Sequence, residues 1–158
     1  MVILMQILPS LLKLCAVLWF MAGGTGCASR HIQRPRGRPD RVIPMEVTGY
    51  CPCQICCGWK RTWFGFGRPV FASGPQKGQP KVVGKTASGT RARPGTVAAD
   101  TSVLPFGTIV YVEGYGWGRV EDRGGAIKGN KLDLFYRSHR EALEWGRQQK
   151  QVQVWFPR

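Results

Sequence analysis

Carboxylates are scarce in this chain, and where they fall sets them apart. Of 158 residues only 4 are Asp, against 23 Lys plus Arg. Asp40 lies in an arginine-rich stretch. The other three interrupt or close short β-branched runs: Val97-Ala-Ala-Asp100, Val120-Glu-Asp122-Arg-Gly-Gly and Lys131-Leu-Asp133-Leu-Phe. Period-two alternation puts Asp133 on the strand face opposite Leu132 and Leu134. With those leucines in a core, Asp133 points into a surface groove. A carboxyl desolvated by apolar neighbours, with a second carboxyl nearby, keeps its proton to higher pH, as a general acid must. Arg123 and Lys128 would act the other way if close. Three acids that merely cap turns or pair with arginines fit the same spacing.

A second group of reactive side chains is Cys51-Pro-Cys53-Gln-Ile-Cys56-Cys57, four thiols in seven residues. Cys-x-x-Cys can hold tetrahedral zinc, but structural sites normally bring two such pairs from separate knuckles. No second pair follows, and His31 and His139 are distant in sequence. In an oxidising compartment disulfides are the more natural outcome, so Cys51, Cys53, Cys56 and Cys57 are disulfide candidates and no metal is assigned. Adjacent Cys56 and Cys57 rarely bond each other, and the connectivity is not readable from spacing.

The elements that must carry these groups are short. Met45–Tyr50, Thr96–Ala99, Thr108–Glu113, Gly118–Glu121, Lys131–Tyr136 and Gln151–Phe156 read as six strands separated by Gly and Pro turns, which suggests a small β barrel. One helix is expected, opened by a capping box at Ser138-His-Arg-Glu141 and ended near Gln148–Lys150. Between the cysteines and the second strand, Gly58–Lys85 mixes basic residues with Trp59, Trp63, Phe64, Phe66 and Phe71. It reads as a long surface loop whose aromatics cover the barrel, with stacking on sugars or bases as the alternative.

Residues 1–27 read as a signal peptide: Lys13, then the apolar run Leu14–Ala22, 9 residues, then small residues. Such a run is too short to cross a bilayer, which needs roughly 20 residues. Gly-Thr-Gly-Cys27 resembles a lipoprotein processing site, making Cys27 a lipidation candidate through which the chain could be membrane-anchored. Residues 28–42, rich in Arg and Pro, read as a flexible basic linker, and 43–158 as the folded domain. The formal charge of +14 suits nucleic acid, anionic lipid or an acidic wall polymer. Export brings the chain to the cell envelope, so no nucleic-acid partner is expected.

Longer motifs then point to a family. Thr86-Ala-Ser-Gly-Thr90, Pro94–Asp100, Leu104–Thr108, Gly114–Phe135 and His139–Gly146 resemble the three-aspartate, or 3D, domain, whose named acids match Asp100, Asp122 and Asp133. The resemblance implies a mainly β fold, a six-stranded double-psi β barrel with one short C-terminal helix. That is the core of membrane-bound lytic transglycosylases A and of stationary-phase wall-remodelling proteins. It implies no cofactor, a peptidoglycan glycan strand as partner, a monomer, and cleavage of the MurNAc-β-1,4-GlcNAc bond to a 1,6-anhydro sugar. Asp133 would be the acid and base, with Asp122 and Asp100 in support and Ser88, Gly89, Thr90 and Lys128 on the substrate. A peptidoglycan-binding module without catalysis is the rival, because fold does not fix activity.

Overall fold

The computed structural model describes residues 32–158, so the expected signal peptide, Cys27 and His31 lie outside the described residues. The described residues form eight strands: β1 (Arg41–Tyr50), β2 (Trp59–Arg61), β3 (Pro69–Phe71), β4 (Thr96–Ala99), β5 (Ile109–Val112), β6 (Gly116–Asp122), β7 (Lys131–Phe135) and β8 (Gln148–Trp155). Among the described residues there are two α-helices, α1 (Gln54–Cys57) and α2 (His139–Trp145). Six of the strands close a barrel in the order β1-β7-β4-β6-β5-β8, and β2 and β3 form a separate hairpin. The β1/β7 and β4/β6 pairs are parallel and the rest antiparallel. The expected mainly β, closed six-stranded barrel is therefore present.

Alternation fills it. Met45 and Val47 of β1, Leu132 and Leu134 of β7, Val110 and Val112 of β5, and Val152 and Val154 of β8 all point inward and are fully buried. Each such side chain contributes about 1.5–3 kcal/mol by leaving water. Helix α2 starts at the expected capping box: Ser138 accepts from the Glu141 amide and Glu141 accepts from the Ser138 amide. It lies on β1 at Gly49, where a Cβ would come within 3.0 Å of the Tyr136 ring and 3.1 Å of the Ala142 carbonyl oxygen. Only glycine lets the helix approach that closely.

Several boundaries differ from the sequence reading. Gln148–Lys150 belong to β8 rather than to the end of the helix, because β1 extends back to Arg41 and pairs with them. That extension takes Arg41 and Val42 out of the basic stretch. Just upstream, Ile32 is buried against Ile109 and Trp155, and an Asp40 carboxylate oxygen accepts from the Phe156 amide at 2.8 Å. Helix α1, a single turn, was not expected. The aromatics after it do not cover the barrel: Trp63, Phe64 and Phe66 are 78%, 98% and 84% exposed around a one-turn 3-10 helix beyond β2.

Candidate functional site

The outer faces of β1, β7, β4 and β6 form a floor whose register is fixed by main-chain pairing. Thr48 pairs with Asp133, Asp133 with Ala98, and Ala98 with Asp122. The two acids thus flank one alanine, with backbones two strand spacings, about 10 Å, apart. Asp133 faces outward because Leu132 and Leu134 face in. Simple alternation would have turned Asp122 inward, since Val120 is in the core. Instead the register slips between Val97 and Ala98, and the extra β6 residue, Glu121, tucks its carboxylate onto the Thr96 hydroxyl at 2.8 Å. This bulge reverses the facing of the next residue and sends Asp122 to the same side as Asp133.

Above this floor lies a groove of about 740 Å³. Asp133, Asp122, Ala98, Tyr50 and Phe135 form its base, and Cys56, Cys57, Phe71, Lys81, Lys85 and Arg123 are among its walls. The segment 51–92 is the outer wall, folded back over Tyr50, Ala98 and Phe135, with Cys56, Cys57 and Ala92 packed on them.

Asp133 is half-buried at the floor. Its Oδ1 accepts from the Thr48 hydroxyl at 2.8 Å. Burial pushes its pKa up to about 6; the Thr48 hydrogen bond pulls down and the Asp122 charge pushes up again. A carboxyl with that value is protonated in about one molecule in ten at pH 7, against fewer than about one in a thousand at its ordinary value. Asp122 is held differently: Oδ1 accepts from the Ala87 and Arg123 amides, both at 2.9 Å, and Oδ2 from the Tyr50 hydroxyl at 3.4 Å. These donors fix the orientation of the carboxylate. Tyr50 is itself largely buried, and burial, then the Asp122 charge, push its ionisation far above the usual range, so it remains a donor.

Asp100 does not share the groove. It lines a separate hollow of about 270 Å³ with Lys128 and Thr101, divided from the first by Arg123, Gly124, Gly125 and Ile127, which touch both. Its carboxylate accepts from the Gly129 amide at 2.9 Å and from the Ser102 hydroxyl and amide at 2.7 and 3.1 Å. Those bonds, the Gly129 amide first, hold its pKa down to about 2. Asp100 ties the 124–130 loop to the end of β4, and Lys128 sits beside it rather than in the groove.

Ser88, Gly89 and Thr90, expected on the substrate, lie outside the residues that line the groove. They make a tight turn: the Thr86 amide donates to the Thr90 carbonyl at 2.9 Å, and Gly89 takes φ +89°. The turn presents Thr86 and Ala87 to the groove instead, and its Ala87 amide orients Asp122. Thr48 and Tyr50 escaped the sequence reading. Their signal was alternation along β1, which puts both on the outer face, but nothing local ties them to strands far along the chain.

The cysteines meet a histidine. Sγ of Cys51, Cys53 and Cys56 lie 3.9, 3.6 and 3.3 Å from Nδ1 of His139, although Cys51 and His139 are 88 residues apart in sequence. His139, distant in sequence, is thus brought to the cluster by the fold. The four cysteines are free thiols.

Residues 95–156 match the 3D domain. That range holds Asp100, Asp122 and Asp133, while β1 and the cysteine segment precede it. A 58-residue stretch is 50% identical to the cell wall-binding protein YocH of Bacillus subtilis, and 41% identical to the putative cell wall shaping protein YabE of the same organism. Each match covers 37% of this chain, but only 20% and 14% of those relatives. The chain therefore aligns with about a fifth or less of the curated proteins it matches. Among solved structures, MltA from Escherichia coli aligns over 48% of this chain and 29% of its own, at 26% identity and TM-score 0.39. The same enzyme with bound chitohexaose aligns at 23% identity and TM-score 0.40, over 48% and 28% of the two chains.

Proposed function

We propose that this protein is an exported peptidoglycan lytic transglycosylase of the cell envelope. It would cleave the MurNAc-β-1,4-GlcNAc bond, with Asp133 as the single acid and base. The observation that carries this is the groove-floor carboxyl of Asp133, half-buried and with its pKa raised to about 6, beside an Asp122 held by three donors. The 3D domain match and the wall-related names of the relatives supply the substrate class. A groove of this size is in the range of small-molecule sites and can take a short glycan segment.

The steps follow from the chemistry of the bond. A departing sugar alkoxide is strongly basic, so protonated Asp133 gives its proton to the bridging oxygen as the C1–O bond breaks. The muramic O6 hydroxyl attacks C1 from within the same sugar and closes the 1,6-anhydro ring. Asp133, now a carboxylate, takes the O6 proton and is ready for another turn. Because the nucleophile is internal, no second carboxylate has to activate water. Asp122, oriented by its three donors, raises the proton affinity of Asp133 and offers an acceptor to a sugar hydroxyl. Lys81, Lys85 and Arg123 on the walls suit the carboxylates of stem peptides and of the lactyl group.

The test is incubation with purified sacculi and mass spectrometry of the released muropeptides. Wild type should give 1,6-anhydro products and Asp133→Asn at least about a hundredfold less, the usual weight of general acid catalysis. A binding module without catalysis is the second reading, favoured by the name of the relative YocH. Retained sacculus binding with no product from either protein would establish it. Reducing-end products would instead mean hydrolysis with water.

A further inference from the structure

We infer that Cys51, Cys53, Cys56 and His139 form a structural zinc site that clamps the outer wall of the groove onto the barrel. The four donor atoms all lie within 4.8 Å of one another. For tetrahedral zinc, bond lengths of about 2.3 Å to sulfur and about 2.0 Å to nitrogen require edges of about 3.8 Å between sulfurs and about 3.6 Å from sulfur to nitrogen. The Cys51–Cys56 edge is 3.7 Å, and the three edges to His139 Nδ1 are 3.9, 3.6 and 3.3 Å. A disulfide would engage two of the sulfurs and leave the convergence of the third and of the imidazole unexplained.

The surroundings suit a ligand set. The Cys56 amide donates to Cys53 Sγ at 3.4 Å, the outer contact that steadies a thiolate on a metal. Cys57 is excluded: its thiol donates to the Cys51 carbonyl at 3.2 Å. The site also has a physical task. Across residues 51–85 only Cys51 and Val70 are fully buried apolar side chains, and α1 has no fully buried residue. A segment so poor in core needs a staple, and metal binding supplies one. The clamp joins the end of β1, the single turn of α1 and the first residue of α2. Cys56 itself lines the groove above Asp133. On binding, three thiols release three protons to solvent and the neutral imidazole donates its lone pair, leaving the complex with one net negative charge.

Zinc content and affinity should be measured on the full chain, purified under nitrogen without chelator, together with cobalt titration followed by absorbance. Wild type should hold about one zinc per chain and, with cobalt, show a sulfur-to-metal charge-transfer band. Cys57→Ser should match it, while Cys53→Ser and His139→Asn should bind at least about tenfold more weakly. Zinc-free wild type that gives no cobalt band under nitrogen would overturn the site, as would a Cys51–Cys56 disulfide found in that protein. Equal binding by Cys53→Ser, or loss in Cys57→Ser, would overturn the ligand set. Since none of these measurements involves peptidoglycan, the site stands or falls apart from the proposed enzymatic activity.

Discussion

The two sides of the groove are built on different physics. The floor is the outside of a closed barrel whose inside is packed with Val, Leu and Met that water does not reach. Its acids are therefore held by a rigid register. Residues 51–85 of the outer wall have almost no core, expose Trp63, Phe64 and Phe66, and are held by a short hairpin and by the four-donor cluster. The contrast teaches that positional accuracy for the carboxylates comes from hydrophobic packing of their neighbours along the strands. The wall that shapes access depends on side-chain ligation instead.

That contrast can be broken by substitution, and the largest expected effect lies in the barrel. Leu134→Ala removes a fully buried side chain directly next to Asp133 and should cost about 2–5 kcal/mol in denaturant unfolding. A loss below about 1 kcal/mol would mean the floor is not held by its core. The next effect is electrostatic. The folded-state pKa of Asp133, about 6, lies above its unfolded value, so the folded state binds the extra proton and is penalised once pH rises past both. Asp133→Asn keeps an acceptor for Thr48 and carries no charge. It should therefore unfold about 2–3 kcal/mol harder than wild type at pH 8, and show little of that advantage at pH 4. An advantage that does not shrink on acidification would show that burial of charge is not the cause. Smallest is Phe64→Ser, on the exposed tip of the wall. It should shift stability by less than about 0.5 kcal/mol, because the ring is 98% exposed and covers nothing. A larger loss in a thermal melt would mean the wall has packing of its own.

Much of the floor was legible in the chain. The run at 131–135 alternates, so its inner face follows at once, and the β-branched residues at 96–99 and 109–112 mark strands. Ser138 and Glu141 marked the start of α2 because a capping box is a local device. Ends were less legible. Gln148–Lys150 look like a helix tail, and only pairing with Arg41–Glu46 makes them strand. Aromatic residues between Gly58 and Lys85 were expected to cover the barrel because burial is their commonest fate, yet the hairpin carries three of them out to solvent.

By itself the sequence determined that Asp133 turns away from its leucines, since a period of two leaves no other choice once those leucines are inside. It also determined a set of short β strands and a capped helix, for both arise from contacts within a few residues. Tertiary structure alone decided the rest. A one-residue slip between β4 and β6 turned Asp122 outward, and the loop after β6 set Asp100 behind a partition. Closure of the barrel carried His139 to cysteines 83–88 residues earlier in the chain. Register, partition and closure are properties of pairing between distant segments, and no local pattern of residue types encodes them.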